Sequence, residues 1–149
     1  TEILKDYPYP LFSGEKNSRD SLTWNRMALR YVFRCVNESF QQVEYQPDGL
    51  TSNRFAIRMG SPRGFGLCCQ EEVTLFRPWL SRRQRRRSMI DFIRYALHSG
   101  IGPREQARLV KQAPLWYLLL PAGMVRWLGD LYRLHVKGGH QPNKVRYHN

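Results

Sequence analysis

Apolar residues recur at helical spacing along much of this chain, and proline, glycine and capping residues cut them into separate stretches. Leu22, Leu29, Val32, Phe33, Val36 and Phe40 fall on one broad stripe, while Arg26, Arg30, Arg34 and Glu38 lie elsewhere. That spacing predicts a first helix to about Gln42, with Asp20 or Ser21 able to cap its start. Pro78 and Ser81 introduce a second helix that ends near Ser99-Gly100, with Met89, Ile90, Ile93, Ala96 and Leu97 as its apolar positions. Pro103 suits the first turn of a third helix through Gln112, and Ala122 to Val136 reads as the closing helix, stopped by Gly138-Gly139.

The pattern weakens between the first two helices. Gln46-Pro47-Asp48-Gly49 is a turn signal. Arg54 to Arg58 and Leu67 to Phe76 read as two short strands of a small hairpin around the Ser61 to Gly66 loop. The expected fold is therefore mainly α, a three- to four-helix bundle over 21–137 with an irregular or β-hairpin insertion at about 43–78. An extended arm over 1–20 and a polar tail over 138–149 flank it. In the arm, Pro8 and Pro10 stand among Tyr7, Tyr9, Leu11 and Phe12. Those aromatics need cover, either from a neighbouring subunit or by folding back.

Charge narrows the partners. Lys+Arg outnumber Asp+Glu by 24 to 12, a formal net charge of +12. Such an excess repels itself and calls for an anionic neighbour: RNA, an anionic membrane surface or an acidic protein. Only five of the basic residues are lysine, and 19 are arginine. The planar guanidinium grips carboxylates and phosphates with two bonds and suits interfaces better than a compact ammonium does. Five arginines crowd six residues at the start of the second helix: Arg82, Arg83, Arg85, Arg86 and Arg87. They oppose the positive end of the helix dipole and repel one another, so an anion is expected there. Phe76, Trp79, Phe92 and Tyr95 flank the run, at a spacing that also suits a helical core.

Catalytic chemistry finds no foothold. His98, His135, His140 and His148 make no H-E-x-x-H spacing, and Cys35, Cys68 and Cys69 make no C-x-x-C pair. The Gly60 to Gly66 loop lacks the G-K-[ST] ending of a phosphate cradle, and no G-x-S-x-G elbow occurs. No enzyme, cofactor or metal site is expected. Adjacent Cys68 and Cys69 read as small packing residues in a reducing compartment. Thr1 to Ser13 does not read as a signal peptide.

Ala113 to Leu128 is the most apolar stretch, broken by Pro121 and carrying Arg126. It falls short of the roughly 18 to 20 apolar residues of a membrane span, leaving a re-entrant, interfacial or protein-buried segment. Trp116 and Trp127 in it, with Tyr7, Tyr9 and Phe12 of the arm, are the candidate interface aromatics. Contact with protein is favoured for this segment over a bilayer interface.

Ala28-Leu29-Arg30-Tyr31-Val32-Phe33-Arg34 resembles the opening helix of the LYR-motif proteins, a family of small basic three-helix mitochondrial proteins. Arg30, Phe33 and Arg34 match its pattern, with Ala28 and Leu29 where Leu and Tyr stand in the family. Phe92 near Arg94 matches the phenylalanine of a later basic helix. The resemblance implies a matrix protein that grips acyl carrier protein, with Arg30 and Arg34 facing an acidic partner helix. The expectation is thus a non-catalytic accessory subunit of a mitochondrial complex, in the respiratory chain, on the matrix side or associated with the inner membrane. Neighbouring subunits, acyl carrier protein and anionic lipid are its expected partners. The alternative is a structural protein of the mitochondrial ribosome that holds rRNA through the arginine cluster.

Overall fold

The computed structural model describes residues 2–16, 19–41, 53–111 and 113–137. Among the described residues every regular element is helical: α1 (Glu2–Lys5), α2 (Ser21–Ala28), α3 (Arg54–Met59), α4 (Pro62–Thr74), α5 (Arg82–His98), α6 (Pro103–Val110) and α7 (Ala113–Lys137). A 3-10 turn, Arg77–Trp79, links α4 to α5.

Local signals fix the starts of the helices. Pro62 occupies the first turn of α4, where its missing N–H costs nothing. The Glu15 carboxylate then accepts from the backbone N–H groups of Arg63 (2.7 Å) and Gly64 (2.9 Å), capping α4 from 48 residues away. At α5 a capping box forms: Gln84 N–H donates to Ser81 Oγ at 3.3 Å, and Ser81 N–H donates to Gln84 Oε1 at 2.9 Å. Pro103 opens α6, and Lys111 ends it in the left-handed region at a φ of 51°.

Packing is organised around α5. Met89, Phe92, Ile93 and Ala96 recur at three- and four-residue steps and are buried, with Cys69, Val73, Val110 and Trp116 supplied by its neighbours. Helix α4 runs antiparallel to α5, since Phe65 meets Tyr95 (rings 5.7 Å apart) at one end while Glu72 meets Ser88 toward the other. Helix α7 runs parallel to α5: Gly123 lies against Ile93, and Asp130, further on, meets Arg94 and His98. Helix α6 returns between them and packs on both α7 and α4.

Several expectations are corrected. The first helix stops at Ala28, and 29–41 is irregular and exposed. A helix needs its apolar stripe packed against something; beyond Ala28, Phe33 meets the Trp24 ring at 6.2 Å, but Val32, Val36 and Phe40 stay exposed among the described residues. Both expected strands are helical, in α3 and α4. Gly66, Cys69 and Val73 recur at three- and four-residue steps and let α4 approach α5 closely. The closing helix begins at Ala113 instead of Ala122 and runs through Pro121. Pro121 is exposed, so the carbonyl it leaves without a donor, that of Tyr117, lies on the solvent side. The arm contains a short helix and folds back onto the domain. Tyr7 packs edge-on against Tyr31 at 6.3 Å, and the Tyr9 hydroxyl donates to Asp20 at 3.2 Å. The Gln46 to Gly49 turn and the 138–149 tail lie outside the described residues.

Close approach of α5 and α7 rests on Gly123. A Cβ there would sit 2.4 Å from Ile93 Cγ2, whereas a Cβ at Gly129 would meet nothing within 4 Å. Gly123→Ala is expected to lower stability by about 1–3 kcal/mol in urea unfolding. Gly129→Ala should raise it by up to about 1 kcal/mol; equal effects at the two positions would refute this packing.

Candidate functional site

The capping box places the arginine run on the first turns of α5. Arg82, Arg83, Arg86 and Arg87 are exposed, and Arg85 is half-buried with a buried Nε that has no hydrogen-bond partner among the described residues. None of the five pairs with a described carboxylate, so the surface presents a block of uncompensated positive charge. By contrast, Arg19, Arg26, Arg94 and Arg126 all reach carboxylates.

Beside the run lies a cleft of about 360 Å³ between α4 and α5. Arg19, Arg58 and Arg87 line it, with Gln84, Ser88 and the ring of Phe65. The Glu72 carboxylate at its edge is fully engaged. It receives Ser88 Oγ at 2.5 Å, Arg19 at 3.4 Å and the Cys68 thiol at 3.7 Å. Asp91, the other acid lining the cleft, is paired with Arg126, so with Glu72 also engaged Arg58 and Arg87 leave a positive balance that suits an anionic group.

The paired thiols Cys68 and Cys69 are poor nucleophiles. Burial pushes Cys68 up, further helped by Glu72 though opposed by Arg19; burial also raises Cys69 well above the ordinary thiol. Activation of a cysteine needs the opposite shift. Among the described residues no group of three or more His, Cys, Asp or Glu is placed to hold a metal ion.

Arg30 and Arg34 do not join the α5 cluster through a helix. Both are exposed in the irregular segment after α2, and Arg30 borders a separate open cleft of about 410 Å³ with Asp6, Tyr7 and Arg26. Among the aromatics, Tyr9 is exposed, while Tyr7 and Phe12 are half-buried against the domain. Trp116 is a correction: it is buried in the core and presents nothing to a partner. Trp127 is half-buried, edge-on to His98 at 6.5 Å.

Sequence reasoning missed the polar clamp that holds α7 on α5. Asp130, buried on the inner side of α7, accepts from Arg94 through Nε and, at 2.7 Å, through Nη2; His98 Nε2 lies 3.1 Å away. Arg126 of α7 answers by pairing with Asp91 of α5 at 2.6 Å. Burial pulls the Arg94 guanidinium down, but the Asp130 hydrogen bond and the charges of Tyr95, Asp130 and Asp91 outweigh it and raise its pKa. The signal was present: Asp130 is the one acidic residue in the apolar final helix, and Arg94 and His98 stand four residues apart on the partner helix.

Removing the clamp's acceptor leaves the largely enclosed Arg94 guanidinium without its forked partner and the His98 ring without its hydrogen bond. Asp130→Ala is expected to cost about 3–5 kcal/mol in denaturant unfolding, and a cost within error of zero would show that the clamp holds nothing. In the native protein at neutral pH, iodoacetamide should modify exposed Cys35 well before Cys68 or Cys69, as read by mass spectrometry. Early labelling of the tandem pair would overturn the buried, protonated assignment. No family model, no curated protein and no solved structure matches this chain.

Proposed function

We propose that the chain is a non-catalytic accessory subunit of a mitochondrial multiprotein complex of the respiratory chain. Neighbouring subunits hold it through its basic helical surface. The observation that carries this reading is the segment after α2. Val32 is 99% and Phe40 76% exposed there, and Leu29, Phe33 and Val36 are exposed with them. Large apolar side chains left in water on an irregular strap gain most from a surface that covers them. Their helical spacing fits a strap that winds into a helix once such a surface is supplied, with the ordering cost met at binding.

The uncompensated arginines on α5 supply the second contact. They suit carboxylates of an acidic neighbour, held by paired N–H donors. The mitochondrial placement draws on net charge, arginine preference and the resemblance of the Ala28 to Arg34 stretch. Acyl carrier protein would meet Arg30 and Arg34 as part of the strap, since α2 ends before them.

The same arginine block supports a second reading, a ribosomal structural protein that grips rRNA phosphates. Affinity capture of tagged protein from gently solubilised mitochondria, with and without ribonuclease, separates the two. Respiratory subunits or acyl carrier protein retained after nuclease are the expected outcome. Ribosomal proteins and rRNA, lost on nuclease treatment and weakening steeply with salt, would replace the first reading by the second.

A further inference from the structure

We propose that the outer side of α7 rests on an anionic lipid surface, with the helix lying along the membrane plane. The inner side of α7 is committed to the bundle through Trp116, Gly123 and Asp130. Among the described residues the opposite side has no partner: Leu118 is 73%, Val125 68% and Tyr132 69% exposed, and Leu128 and Val136 continue the stripe. These positions recur at three- and four-residue steps over a helix of 25 residues, about 37 Å long at the usual rise.

Three observations choose the occupant. First, charge: Asp130 is the sole acid of α7 and is buried on the inner side, Arg133 stands exposed at the edge of the stripe, Arg126 near it is paired with Asp91, and the chain as a whole carries +12. Nothing acidic faces outward, so an anionic surface is attracted without opposition. A second copy would set arginine against arginine on a chain already at +12. Second, breadth: Tyr117, Met124 and Leu131 are exposed beside the stripe, so the apolar band exceeds the narrow seam that one partner helix fills. A fluid apolar medium wets the whole band. Third, chemistry at the margins: Tyr117, Tyr132 and the arginine stems suit the headgroup level, where amphipathic side chains keep polar tips in water. No helix of the described residues is long and apolar enough to cross a membrane, so contact is lateral.

This contact does not depend on which complex holds the chain, and it can fail while the subunit reading stands. The test is vesicle flotation of the purified full chain. The probes are pure phosphatidylcholine and phosphatidylcholine containing about one quarter phosphatidylglycerol. The chain is expected to float with the anionic vesicles, and far less with the neutral ones. Val125→Glu with Leu128→Glu should cut the floated fraction about tenfold or more. Leu4→Glu with Leu11→Glu makes the same charge change away from α7 and from the strap, at two exposed positions, and should retain most of the binding. Circular dichroism confirms that each variant is folded; if the glutamates unfold α7, Val125→Ser with Leu128→Ser is read in their place, with loss expected in the same direction. Failure of the unaltered chain to float with anionic vesicles would overturn the proposal, as would equal loss in both glutamate pairs. So would a lipid-free dimer that the α7 pair dissolves, which would assign the face to a second copy. Capture by a glutamate-flanked amphipathic peptide without vesicle binding would likewise assign it to a protein.

Discussion

Helix α5 is enclosed on two sides at once, and nearly every other element is placed by that enclosure. Its buried Met89, Phe92, Ile93 and Ala96 are shared between α4 and α7, so neither neighbour can shift without exposing part of the same core. Close approach of α7 depends on Gly123, where a Cβ would overlap Ile93, whereas at Gly66 of α4 a Cβ would meet Tyr95 at an ordinary 3.5 Å. Apolar contact alone has little directional preference. The forked bond from Arg94 to Asp130 and the return pair from Arg126 to Asp91 add direction, fixing how far α7 slides along α5.

The same helix carries opposite demands at its two ends. Its later turns are apolar and enclosed; its first turns hold five arginines that no described carboxylate answers. A capping box is what reconciles them, because Ser81 and Gln84 satisfy orphan donors at an end where the arginines work against the dipole. Stability is thus concentrated in the second half of α5, and charge is displayed on the first. That division lets a strongly basic surface stand on a firm scaffold without entering the core.

How far the sequence disclosed this fold depends on where each element finds its stabilisation. Helix α5 was legible because period, cap and terminal glycine agree, and α6 because Pro103 marks its start. The α4 segment was misread as strand because short apolar runs are ambiguous, and the deciding factor, close packing of Gly66 and Cys69 on α5, is tertiary. Pro121 looked like a break in α7 but sits on the outer side, where a lost backbone bond is cheap. The stretch after Ala28 erred the other way: its period is helical, yet among the described residues Val32, Val36 and Phe40 of the stripe stay exposed. In the candidate site, the arginine block was plain from composition, whereas the Asp130 clamp requires knowing that α7 lies parallel to α5.

The long-range cap on α4 has a consequence for how the protein comes together. Glu15 is anchored by backbone groups 48 and 49 residues further along, a wider span than the 36 residues from Arg94 to Asp130 or the 39 from Gln70 to Leu109. Helices with local contacts assemble quickly, and closing a long loop waits on its far end being formed. During synthesis the arm therefore cannot complete its docking until Gly64 has left the ribosome and α4 has wound. Until then the start of α4 lacks its cap, and the nearer contacts of Tyr7 with Tyr31 and of Tyr9 with Asp20 are what tie the arm down.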